Sequence, residues 1–163
     1  MTSSKYLLPA GKLASHPRVD KGEPAHVSVT IDVEYQGGLR TKARHRESGA
    51  EICTAVPGDG DRADECFSPT DLAAVSLATC LISVVATAAR KHGVDPEGAR
   101  VRLEKSMTES GPRRIAALHA VIEMPPGVPV ELRKRLEAAA KTCPVHRSLH
   151  PDIDEVMRFE WRD

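Results

Sequence analysis

Four cysteines, Cys53, Cys66, Cys80 and Cys143, are the side chains of this sequence best suited to do chemistry. The thiolate is the reactive form, and an unassisted cysteine ionises near pKa ~8.5, so each needs a source of positive potential to react at neutral pH. Cys143 stands in the step Thr142-Cys143-Pro144. If Pro144 opens a short helix, Cys143 is its N-cap, and amide N–H groups there favour a thiolate; this makes Cys143 the more acidic thiol. Cys80 lies about three turns beyond Ser68, where a helix dipole offers little. Its cation must come from another element. Arg40 is the first choice, because a guanidinium is always charged and its fork can hold a thiolate and a substrate oxygen together. Taken alone, Cys80 also reads as a small core hydrophobe. A metal site is a competing reading: Cys143 and His146 form a Cys-x-x-His pair, His150 is one turn on, and Cys53 and Cys66 could complete the set. Structural zinc sites space their paired ligands more tightly than Cys53 and Cys66 are spaced, which counts against the metal reading.

The composition narrows the classes of function. The 163 residues suit one ordinary domain. With 23 basic and 23 acidic side chains, nothing suggests a general binder of nucleic acid or of anionic membranes. Aromatic residues make up only 3%, so the core must rest on Val, Leu, Ile, Ala and Met. A chain of this length can bury a core without staples. Residues 1–9 lack the long apolar run of a signal peptide, so a reducing, cytoplasmic location is expected, where cysteines are more often buried or catalytic than bridged.

The elements that position these cysteines are legible from periodicity. Residues 1–24, with Pro9, Gly11, Pro17, Gly22 and Pro24, read as an irregular leader before a domain at 25–163. Residues 26–35 alternate, with Val27, Val29, Ile31, Val33 and Tyr35 on one face of a half-buried strand. Gly37-Gly38 turns the chain into a returning strand at 39–45, and a third strand fits 51–56. A helix starts clearly: Ser68 caps it, Pro69 suits its first position, Asp71 adds negative charge near its start, and Gly93 ends it. Residues 72–89 of this helix carry no charge. That run is long enough for a membrane span, but Ser76, Thr79, Ser83 and Thr87 and the many alanines favour the buried centre of a protein. Strands follow from Val101 and at 114–124, the latter with Ala116, Leu118, Ala120 and Ile122 on one face. An amphipathic helix at 131–141 and a last strand through Met157, Phe159 and Trp161 complete an α+β order. One chain offers too little cover for a helix apolar on all sides, and a homodimer is the simplest remedy.

The residues also carry a family resemblance. Phe67-Ser68-Pro69-Thr70-Asp71-Leu72 followed by Leu77-Ala78-Thr79-Cys80 resembles the helix signature of the OsmC/Ohr proteins, and Thr142-Cys143-Pro144-Val145 their second cysteine motif. Pro112-Arg113-Arg114-Ile115 and Phe159-Glu160-Trp161 lie where related chains place similar residues. The resemblance implies an OsmC/Ohr-like α+β fold in which antiparallel sheets wrap long central helices of an intertwined homodimer. It implies a cysteine-based peroxidase: Cys80 attacks an organic hydroperoxide and becomes a sulfenic acid, Cys143 condenses with it to a disulfide, and a dithiol, a lipoylated protein among the candidates, resets the pair. The resemblance implies no metal or organic cofactor. Oxidation is expected to join Cys80 to Cys143, and not Cys53 to Cys66. Hydroperoxide-specific members carry a Glu after the Ser-Pro pair that salt-bridges the catalytic arginine; this chain has Thr70 there, and Asp71 lies about 100° further around the helix. The family arginine follows a Gly-rich turn, as Arg40 does with one extra residue. A catalytically weak binding or redox-sensing protein of the same fold is the alternative.

Overall fold

Alternating apolar and polar residues ahead of a Gly-Gly step make a hairpin. In the computed structural model, which describes residues 28–57 and 66–163, β1 (Ile31–Gly37) and β2 (Arg40–His45) pair antiparallel, and β3 (Glu51–Ala55) adds antiparallel to β2. The turn needs left-handed backbone: Gly37 and Gly38 have φ of +83° and +55°, which glycine adopts without steric cost. The leader at 1–24, with His26 and Val27, falls outside the described residues; of the described part of the expected strand, Ser28, Val29 and Thr30 lie ahead of β1.

The helix begins as its first turn dictates. In α1 (Pro69–Arg90), the Asp71 N–H donates to the Ser68 hydroxyl at 3.1 Å and the Ser68 N–H donates to the Asp71 carboxylate at 2.9 Å. This reciprocal cap satisfies two of the orphan donors of the first turn. Gly93, at φ +74°, lets the chain leave the last turn. A second sheet follows: β4 (Arg100–Met107) pairs antiparallel with β5 (Ile115–Met124), and β6 (Asp154–Trp161) pairs parallel with β5. A parallel pair requires a crossover, and α2 (Val130–Ala140) with the short α3 (Pro144–Ser148) supplies it.

The core lies between this sheet and the two longer helices. Leu77, Leu81 and Val85 of α1 meet Leu118, Ile122 and Met124 of β5 and Leu136 of α2, all almost fully buried. Leu118, Ala120 and Ile122 bury the face that the alternation marks. Truncating one such leucine to alanine costs about 2–5 kcal/mol.

Burial within one chain meets one expectation and corrects another. As the uncharged run implies, α1 is not enclosed on every side within one chain. Its Ala74, Leu77, Leu81, Val85 and Ala89 stripe is buried, while Thr79, Ser83 and Thr87 face outward and donate back to helix carbonyls at 2.8, 2.8 and 2.7 Å. By length and composition α1 could cross a membrane; here its apolar stripe packs on protein. By contrast with its expectation, β1 is not half-buried: Ile31, Val33 and Tyr35 are 59%, 63% and 64% exposed. The reason is topological. β1, β2 and β3 form a separate sheet, an arm that leans on neither α1 nor the second sheet to any extent. The alternation specifies an apolar face and says nothing of what covers it.

Candidate active site

Helix packing brings the two free cysteines together. Cys80, half-buried on α1, and Cys143, fully buried at the N-cap of α3, are free thiols. α1 packs on both α2 and α3, and the side chain of Cys80 lies close enough to Cys143 to influence its ionisation. Cys80 also lines a cavity of about 590 Å³ between α1 and α2. Val84, Ala88 and Leu136 make its walls apolar, while Lys91 and Arg135 bring positive charge to it. Neither cation stands out in the sequence, since Lys91 reads as a charge at a helix end and Arg135 as one on the exposed side of an amphipathic helix.

The expectation that the helix N-terminus lowers the Cys143 thiol is corrected. The geometry behind it is present: Cys143 is the N-cap, and the His146 N–H donates to its Sγ at 3.5 Å. Yet burial pushes the Cys143 thiol up, the neighbouring Cys80 raises it further, and the amides of His146 and Val145 only partly oppose this. Removing a charge from water outweighs two amide dipoles. At neutral pH Cys143 therefore stays a protonated thiol.

Arg40 is not brought to Cys80 within one chain. It opens β2 in the arm, opposite Gly37 and Ala55, and it does not line the Cys80 cavity. The departure at Thr70 also has a structural counterpart. Lys105 Nζ donates to Thr70 Oγ1 at 2.8 Å and to Asp71 Oδ1 at 2.6 Å. The Lys105 bond, with that of Ser68, holds the Asp71 carboxyl down at about 2. Lysine thus occupies the carboxylate at this end of α1.

Cys53 and Cys66 are joined in a disulfide with their α-carbons 5.6 Å apart, which corrects the expectation that they would not pair. The cause is backbone pairing. Thr54 and Phe67 form a parallel bridge, and the Ala55 N–H donates to the Phe67 carbonyl at 3.1 Å. Their neighbours Cys53 and Cys66 then fall within the range a disulfide can span. No spacing rule reveals a bridge formed across a loop. The bond removes both cysteines as metal ligands. The His146 ring is engaged elsewhere, its Nδ1 lying 2.6 Å from Glu155 Oε2. Among the described residues no three His, Cys, Asp or Glu side chains cluster as a metal site.

The family described as OsmC-like protein matches residues 58–155. Among solved structures, a candidate osmotic-stress-induced and detoxification-response protein from Psychrobacter arcticus 273-4 is 36% identical, with a TM-score of 0.75, covering 83% of this chain and 98% of that one. An organic hydroperoxide resistance protein OsmC from Legionella pneumophila shares the fold at 17% identity and a TM-score of 0.65, covering 84% and 99%. The organic hydroperoxide resistance protein OhrB of Bacillus subtilis does so at 15% and 0.62, covering 82% and 98%. No curated protein matches the chain.

Proposed function

The chain belongs to the OsmC-like protein family, and from that premise we propose that it is a thiol peroxidase of organic hydroperoxides acting through Cys80 and Cys143. One observation carries the reading: two free cysteines adjoin, one buried and held as a thiol, the other open to a largely apolar cavity. Cys80 attacks the outer peroxide oxygen. The O–O bond breaks, the alcohol leaves with a proton, and Cys80 becomes a sulfenic acid. The Cys143 thiol then attacks that sulfur. An S–S bond forms, the S–O bond breaks, and the hydroxyl leaves with the thiol proton as water. A dithiol reduces the disulfide. The apolar walls favour bulky organic peroxides over hydrogen peroxide.

The working form in this reading is a homodimer. The exposed Ile31, Val33, Tyr35 and Ile52 of the arm and the outward face of α1, with Val75 and Thr79, supply faces that a second copy would cover. Such a copy could also bring Arg40 to the site. Light scattering at micromolar concentration should return the mass of two chains; a monomer would count against this arrangement. The reading places the protein in the cytoplasm, where dithiols such as lipoylated proteins are at hand.

The function itself is tested by consumption of cumene hydroperoxide against hydrogen peroxide, with dithiothreitol or a lipoylated protein as reductant. Faster loss of cumene hydroperoxide is expected. A second reading, a catalytically weak binding or redox-sensing protein, is favoured by the engagement of Thr70 and Asp71 with Lys105 and by the position of Arg40. Oxidation of Cys80 without sustained turnover would select it.

A further inference from the structure

The His146 imidazole takes no part in the chemistry above, yet it makes one of the short contacts behind the site. We propose that His146 and Glu155 are a positioning pair that holds the Cys143 sulfur in line for attack on oxidised Cys80. The proposal rests on the peroxidase reading for its natural oxidant only.

α3 spans five residues and none of them is fully buried. Val145 and Leu149 lean on the core, but such contacts are non-directional and tolerate sliding. The directional contact is that of His146 Nδ1 with Glu155 Oε2 at 2.6 Å, between side chains only 29% and 14% exposed. Glu155 lies on β6 opposite Leu118 of the central strand, and Leu118 is 1% exposed. The carboxylate is therefore anchored on a strand that pairs with the buried centre of the sheet. On its other side, the His146 backbone N–H donates to Cys143 Sγ at 3.5 Å. A single residue thus ties the sheet to the sulfur, through its ring and its amide. Release of the ring frees α3 to shift, and amide and sulfur move with it.

Such a pair acts on one step alone. Disulfide formation needs Cys143 Sγ in line with the S–O bond of Cys80, and a misplacement of about 1 Å can cost on the order of 100-fold. For attack of Cys80 on peroxide, α3 supplies only Pro144, at the cavity wall. A merely structural role would lower stability and leave the ratio of the two rates unchanged.

The test separates the steps. His146→Ala, Glu155→Leu and Glu155→Gln are mixed with one equivalent of cumene hydroperoxide. Sulfenic acid at Cys80 is followed by dimedone trapping, and its conversion to the Cys80–Cys143 disulfide by peptide mapping. A parallel series uses diamide, which oxidises thiols to disulfides without peroxide. Sulfenic acid should form at the parental rate in all three variants. Its conversion should slow roughly tenfold in His146→Ala and Glu155→Leu, a fraction of the loss that misplacement can cause. Glu155→Gln, which keeps a hydrogen-bonding group, should recover most of the rate. The diamide series should show the same order. Conversion at the parental rate in both His146→Ala and Glu155→Leu overturns the proposal, as does equal slowing of both steps. If the parent protein makes no sulfenic acid, the peroxidase reading falls and the diamide series alone decides the positioning pair.

Discussion

Cys53 and Cys66 are joined at the junction of arm and body, whereas Cys80 and Cys143 are free thiols inside the body. The first pair is brought together by backbone: a bridge between Thr54 and Phe67 sets the flanking residues side by side. The second is brought together by packing of α1 against α3. Cys53 is exposed and its partner half-buried, while Cys143 is sealed from solvent and kept protonated. The difference teaches that proximity alone does not make a redox pair useful. A bridge closed at a junction constrains the chain. A thiol held protonated beside an accessible one waits for an electrophilic sulfur.

The largest effects should fall on the free pair. Cys80→Ser should abolish sulfenic acid formation and turnover, whereas Cys143→Ser should still form the sulfenic acid at Cys80 and turn over once. If Cys80→Ser keeps that single turnover and dimedone labels Cys143, the roles are reversed and the comparison fails. For the joined pair the effect should be on stability. Cys53 and Cys66 are 13 residues apart in sequence, and closing a loop of that size is worth about 3 kcal/mol. Urea denaturation of Cys53→Ser with Cys66→Ser should show a loss of that order, with the rate of Cys80 oxidation unchanged. A parental midpoint would deny the bridge its structural role.

Arg40 links the two regions, since it belongs to the arm and would serve the body. Arg40→Ala should slow peroxide reaction at neutral pH by up to roughly 30-fold, the thiolate lost if an unassisted pKa of ~8.5 returns. The deficit should shrink at alkaline pH. A rate-versus-pH profile identical to the parent's would remove Arg40 from the site. The smallest effect should come from Lys105→Met at the start of α1. The Asp71 pKa is lowered in the fold from 3.8 to about 2, so the stability it contributes is complete above about pH 4 and fades as pH falls through 2. Because Asp71 is 39% exposed, the loss should stay below about 1 kcal/mol. The difference between parent and variant should shrink steadily in melts taken from about pH 5 down through about pH 2; a constant difference would mean that Lys105 acts through packing.

Local chemistry wrote much of this protein into its sequence. The cap at Ser68, the stop at Gly93, the Gly37-Gly38 turn and the alternation through Leu118, Ala120 and Ile122 need only near neighbours, and each stands in the structure where its residues imply. The position of Cys143 ahead of Pro144 was likewise legible as an N-cap. What no local pattern could supply was the surroundings. Burial, a property of the whole packed core, reversed the expected acidity of Cys143. A single bridge between Thr54 and Phe67 decided that Cys53 meets Cys66. The period-two pattern of β1 defined an apolar face, but only the tertiary arrangement left it bare and kept Arg40 on an arm away from the Cys80 cavity. Hydrogen bonds and turns act over a few residues and can be read from order alone. Desolvation and long-range contact depend on which distant segments converge, and that is settled only when the chain has folded.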